Sequence, residues 1–119
     1  LEKQSQARKL KMQSKQIEEH IKKHFESGVI PAVVAEMSFQ DFKWGADRQL
    51  HNNVWDTILG EEVGEVSEAA ILFVNAKLGQ IKGNVSKHTL EVNKKELRSE
   101  LIQVAAVAMQ WIEALDRSN

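Results

Sequence analysis

Residues 54–77 place Trp55, Leu59, Val66, Ala69, Ala70 and Phe73 on one side of a helix that turns by about 100° per residue, yet Glu62 projects from the middle of that apolar arc. Glu65 lies one turn on, at the edge of the arc beside Ile58, while Glu61 and Glu68 point progressively toward water. Residues 94–115 repeat the pattern: Leu97, Leu101, Val104, Ala105, Val107, Ala108, Trp111, Ile112 and Leu115 share an arc, Glu100 falls inside it and Gln103 flanks it. An ionised carboxylate in an apolar core costs several kcal/mol unless it is paired, protonated or bound to a cation. Two such helices facing each other therefore need something positive between them. The candidates are a divalent metal or basic partners such as Lys43, Arg48 or Lys77, and a partly wet helix edge is the alternative that needs neither.

The rest of the chain fits the same helical scheme. Apolar residues at Leu10, Ile17, Ile21 and Phe25 predict an N-terminal surface helix over about residues 7–27, ended by Ser27-Gly28, with Lys9, Lys11, Lys15, Lys22 and Lys23 as a solvated basic face. His20 and His24 are one turn apart, but no third ligand is evident near them. Pro31 suits a first helical turn, and Val33, Val34, Met37, Gln40, Asp41 and Trp44 continue at helical spacing to a stop at Gly45. Residues 46–53 read as a polar loop at the mouth of a site. Residues 79–93 read as a connector, with Gly83-Asn84 and Ser86 breaking the period. The last helix is expected from about residue 94 to residue 116. Its Ile102, Ala106 and Met109 form a second apolar face, more than a short bundle can cover alone.

The expected fold is thus all-α: a bundle of about four helices in a single domain over residues 1–119, with a core over about residues 31–116 completed by homo-oligomerisation. A length of 119 residues with one Pro, six Gly and no Cys fits one helical domain without a disulfide scaffold or a thiolate zinc site. The cysteine count is compatible with a reducing cytosol, and a cytoplasmic location is expected. Sixteen basic against 17 acidic side chains leave a net charge of -1, so no nucleic-acid polymer is called for as a partner. No apolar run reaches the roughly 20 residues of a membrane span, and the N-terminal residues are polar and charged rather than signal-like.

Glu62 and Glu65, three apart on one helix, can reach one point in space, with Glu100 as a third acid from the facing helix. All-oxygen sites of this type suit Mg2+ or Mn2+, which keep several waters and hold phosphate oxygens. A di-iron bundle needs Glu-x-x-His on paired helices, and the sequence contains none. It also lacks a cysteine nucleophile, a Gly-x-Ser-x-Gly elbow, a Walker loop and a dinucleotide fingerprint. Metal-assisted attack of water on a phosphoanhydride fits best, with Glu61 or Glu65 orienting or deprotonating the water. Trp44 offers a ring to stack on a base, and Lys43 or Arg48 a cation for phosphate. A core or interface place for Trp44 and a surface place for the two cations fit the pattern equally well, whereas Trp55 and Trp111 belong in the core.

Leu59-Gly60-Glu61-Glu62-Val63-Gly64-Glu65-Val66, followed by Glu96-Leu97-Arg98-Ser99-Glu100-Leu101-Ile102-Gln103, resembles the MazG-like branch of the all-α nucleoside triphosphate pyrophosphohydrolases. That family's signature is Glu-x-x-Glu, a spacer, then Glu-x-x-Asp. Lys43-Trp44-Gly45 is also similar to MazG-like relatives, and the resemblance runs over residues 39–115. It implies a helical dimer or tetramer that binds Mg2+ and cleaves a nucleoside triphosphate between its α- and β-phosphates, releasing a monophosphate and pyrophosphate. Glu62, Glu65 and Glu100 match the first three acids of the signature, and Gln103 stands at the fourth. A glutamine offers only a neutral carbonyl oxygen. The site then holds a divalent ion less tightly unless Glu96 or Glu61 compensates, and a catalytically weak relative that binds nucleotides or a partner is the alternative. The spacer between the motifs is longer than the family's, as an insertion over residues 79–93 would make it.

Overall fold

The helical periodicity resolves into four helices in the computed structural model, which describes residue 8 and residues 13–118. They are α1 (Ser14–Glu26), α2 (Val29–Trp44), α3 (Asn52–Ile81) and α4 (Lys87–Arg117), and no strand occurs among the described residues. The expected start of the first helix near residue 7, with Lys9, Leu10 and Lys11, lies outside the described residues. The chain forms two compact units that divide between Ala32 and Val33.

In the first unit, α1 has no buried residue, and Ile17, Ile21 and Phe25 stand half-exposed along one side. The helix stops where Gly28 turns to a φ of 80°. A residue with a Cβ adopts that left-handed conformation only at a cost. The Ser27 and Gly28 N–H groups close the end on the carbonyls of Lys23 and Phe25. His20 and His24 stack with ring centres 6.5 Å apart and remain exposed.

In the second unit, α3 and α4 pack against each other as a helical hairpin joined by residues 82–86. The connector predicted over residues 79–93 is therefore much shorter, and both flanking helices are longer than the sequence pattern suggested. Gly79 lies inside the last turns of α3, where a Cβ would collide with the Val85 side chain, so this glycine marks close approach of helix and turn rather than a helix stop. Ser86 caps α4, its Oγ accepting from the Thr89 N–H at 3.1 Å. Thr89 and Val92, β-branched residues that weaken helix propensity, lie within the helix that this cap starts. The long spacer between the acidic motifs is thus helix with a tight turn, not an inserted loop.

The core follows the predicted arc of α3. Trp55 and Ala69 are buried, Leu59, Val66, Ala70 and Phe73 are half-buried, and Ala76 and Gly79 extend the stripe. On α4 the buried line is rotated from the expected one. Ala106, Val107, Gln110 and Ala114 are buried, whereas Leu101, Ile112 and Leu115 stay about half exposed. Small side chains at 106 and 114 let the helix approach closely along that line. Trp55, Val107 and Ala114 form the centre, flanked by Leu50, Ile58, Leu59 and Trp111. The two tryptophans assigned to the core are there, Trp111 at its edge with its indole N–H donating to Asn52 Oδ1 at 3.0 Å.

The loop between α2 and α3 is tied down from α4. Gln49 Nε2 donates to the Ala114 carbonyl at 2.7 Å, Arg117 donates to the Arg48 carbonyl at 3.2 Å, and Arg117 pairs with Asp47 at 3.6 Å. Asp47 has a φ of 54°, which aspartate tolerates better than most side chains. This loop is what carries Arg48 to the site.

Candidate metal centre

Glu62 and Glu65 come from α3 and Glu100 from α4, and one carboxylate oxygen from each lies within 4.8 Å of the others. Opposed ligands of an ion bound at about 2.1 Å stand about 4.2 Å apart, and those of a larger ion at about 2.4 Å stand about 4.8 Å apart. The three oxygens can therefore surround one divalent cation with little movement. Glu62 and Glu100 are half-buried and Glu65 is exposed. Oε2 of Glu62 and Oε2 of Glu100 are shut off from solvent and have no hydrogen-bond partner. Buried polar atoms rarely go unsatisfied.

Basic partners do not resolve this. The ion pairs among the described residues are Lys22–Glu26 and Arg117–Asp47. The three cations that might have served lie over aromatic rings instead: Lys43 over Trp44 at 4.9 Å, Arg48 over Trp55 at 5.3 Å and Lys77 over Phe73 at 5.2 Å. A proton or a cation would satisfy these oxygens. Burial, reinforced by a hydrogen bond and repulsion from Glu65, pushes the Glu100 carboxyl up to about 7. Glu62 is also raised, first by burial and then by Glu65, with Glu36 and Glu61 adding smaller repulsions. Without a cation, Glu100 thus keeps its proton up to about neutral pH.

That proton makes a stability prediction. Glu100 titrates near its ordinary 4.5 in the unfolded chain and at about 7 in the fold, so between those values the folded state binds more protons and stability falls as pH rises. In a chelator, thermal melting should drop across this window. Because Glu65 leaves the cluster open to water, the fall is expected to be screened to roughly 1 kcal/mol, or about 5 °C. Adding Mg2+ or Mn2+ at the alkaline end should restore it. A melting temperature that does not change with pH or with added cation would remove the cluster from this role.

Beside the acids, a cavity of about 490 Å³ opens between α2 and the α3–α4 hairpin. Glu62 belongs to both the cluster and the cavity wall. Glu61, Gln103, Lys43, Trp44 and Arg48 line the same cavity, so candidates for catalysis, metal binding and substrate contact converge on it. Trp44 is largely exposed rather than buried in the core. Glu96 is exposed and adds to the repulsion on Glu100, but it does not join the three-oxygen cluster. Glu68 is solvated, as its angle on the helix implied.

Two residues of this region escaped the sequence reading. Glu36 lines the cavity and repels Glu62; its helical spacing with Gln40 and Lys43 on the face of α2 that carries the basic residue was the available signal. Gln110 is buried and bonded to Arg48, Asp41 and the Met37 carbonyl. Nothing local in the sequence distinguishes it from any other polar helix residue.

Fold and site together define an all-helical protein with a three-carboxylate cluster on the edge of a cavity that also has basic and aromatic walls. No family model, curated protein or solved structure matches the chain. Any functional reading therefore stands on the residues and their geometry.

Proposed function

We propose that the protein is a Mg2+-dependent nucleotide pyrophosphohydrolase that cleaves nucleoside triphosphates between the α- and β-phosphates. The observation that carries this reading is the meeting of Glu62, Glu65 and Glu100 around one point, with two shielded oxygens lacking any protein partner, at a cavity that also presents Lys43, Arg48 and Trp44. The motif resemblance to MazG-like enzymes agrees with it.

Glu62, Glu65 and Glu100 would hold the ion. Bound there, Mg2+ or Mn2+ supplies positive charge against a phosphate chain and lowers the pKa of a water. Glu61, in the cavity wall, is placed to accept a proton from an attacking water, with Glu65 as the other carboxylate available to orient it. Lys43 and Arg48 supply charge for phosphate oxygens, and the exposed Trp44 ring offers a stacking face for a base. Homo-oligomerisation completes the reading. Ile71, Val74, Leu78 and Ile81 leave one side of α3 apolar and at least half exposed, a surface of the kind that marks association.

The test is incubation of the protein with a panel of canonical and modified nucleoside triphosphates and Mg2+, following pyrophosphate and monophosphate, with molecular mass measured by light scattering. Release of both products from at least one nucleotide is expected. No turnover together with no Mn2+ binding would end the enzyme reading, and a monomer in solution would end the oligomer.

A catalytically weak, nucleotide-binding relative is the second reading, favoured by Gln103 in the cavity wall where a fourth acid would add charge. Gln103→Asp separates the two. We expect the added carboxylate to tighten Mn2+ binding by about tenfold and to leave turnover equal or higher. Loss of activity with an intact fold would mean that the amide itself is needed.

A further inference from the structure

Gln110 is the one buried polar side chain among the described residues, and every hydrogen-bonding group of its amide is engaged. Its Nε2 donates to Asp41 Oδ1 at 3.1 Å and to the Met37 carbonyl at 3.5 Å, both on α2, while its Oε1 accepts from the Arg48 guanidinium at 3.4 Å. A guanidinium has donors only, and a carbonyl and an ionised carboxylate have acceptors only. The amide can thus face its neighbours in one way. Gln110 and Arg117 on α4 thus hold Arg48 at its head and its root, while the Trp55 ring on α3 lies 5.3 Å from its guanidinium carbon.

That hold does not neutralise Arg48 by direct pairing, although Asp41, Asp47 and Glu113 line a small pocket with it. Its partner Gln110 is neutral, and the guanidinium forms no ion pair among the described residues. It also lines the cavity that Glu61, Glu62 and Gln103 line. A carboxylate at position 110 would hold the guanidinium as well but would cancel its charge. An apolar residue would preserve the charge and release the side chain. Only a neutral acceptor does both.

We propose that Gln110 is a positioning residue that fixes Arg48 at the cavity wall without a direct ion pair, ready for a phosphate oxygen of the ligand. The inference rests on the reading of the cavity as a phosphate site, and it assigns to the α2–α4 contact a role in ligand affinity. Asp41 is part of the device, because it holds the amide in the orientation that points Oε1 at Arg48.

Inorganic pyrophosphate, titrated calorimetrically in the presence of saturating Mn2+, is the probe, and Mn2+ alone is titrated as the control. Gln110→Met, which keeps the length of the side chain, should weaken pyrophosphate by about tenfold, the value of one hydrogen bond to a charged group, and leave Mn2+ affinity unchanged. Gln110→Glu should also weaken pyrophosphate, by discharging Arg48, and serves if the Met variant does not fold. In an Arg48→Ala background neither substitution should cost anything further. Losses that add in the double variants show that Gln110 acts apart from Arg48 and overturn the inference alone, whereas a wild-type protein that binds Mn2+ but not pyrophosphate overturns the reading of the cavity as a phosphate site and the inference with it. A wild-type protein that binds neither overturns the reading beneath it.

Discussion

Glu62→Gln should abolish most metal-dependent turnover while making the cation-free protein more stable. The two effects have one origin. Glu62 lies on the buried stripe of α3, contributes an oxygen to the three-carboxylate cluster and lines the cavity. Burial raises its carboxyl, with Glu65, Glu36 and Glu61 adding repulsion, so without a cation its negative charge opposes folding. Glutamine has the same shape and no charge, and it relieves that repulsion. It also deprives a cation of an anionic ligand. Changes to residues that merely support metal ligands already cost about 10- to 100-fold in affinity or activity, so loss of a direct ligand is expected to cost about 100-fold or more in kcat/KM. Melting in a chelator, Mn2+ titration and pyrophosphate release measure the three consequences. A variant that keeps its activity and its Mn2+ affinity would show that the acids are a structural cluster, and one that melts lower in chelator would contradict the repulsion argument.

The opposite signs of those effects explain why the three-carboxylate cluster is legible in the sequence and the rest of the site less so. Glu62 and Glu100 violate the apolar pattern of their own helices, a local signal that needs no knowledge of the fold. Their convergence then requires only that the two helices face each other, as α3 and α4 do. Gln110 gives no such signal, because its meaning depends on Arg48 and Asp41, which lie 62 and 69 residues away along the chain. Helix ends were obscured for a different reason. Residues 79–93 read as a connector because Gly83-Asn84 and Ser86 break the period, but Gly79 lies inside α3, where tertiary contact with Val85 requires it. The rotation of the α4 contact line has a similar cause: Leu101, Ile112 and Leu115 carry more apolar surface than Ala106 and Ala114, but the smaller residues permit the closer approach.

Trp55→Ala should be the most destabilising single change in the second unit. Trp55 is the largest fully buried side chain, at 1% exposure, and the buried residues around it are small. Val107 and Ala114 on α4 complete the central cluster, with Leu50, Ile58, Leu59 and Trp111 only partly buried against it. These neighbours lack the volume to fill the space an indole leaves, so the full transfer and cavity terms are expected, about 3–5 kcal/mol. Against a typical domain stability of roughly 5–15 kcal/mol that loss brings the fold near its limit. Urea unfolding followed by far-ultraviolet circular dichroism measures it. Trp55→Phe is the informative companion, because it removes an indole N–H that has no hydrogen-bond partner while keeping a ring under the Arg48 guanidinium. The N–H gain offsets part of the lost volume, and a cost below about 2 kcal/mol is expected. If alanine costs no more than phenylalanine, the α3–α4 contact does not depend on this indole. If phenylalanine is tolerated and pyrophosphate affinity survives with it, the ring face, rather than the indole nitrogen, is what supports Arg48.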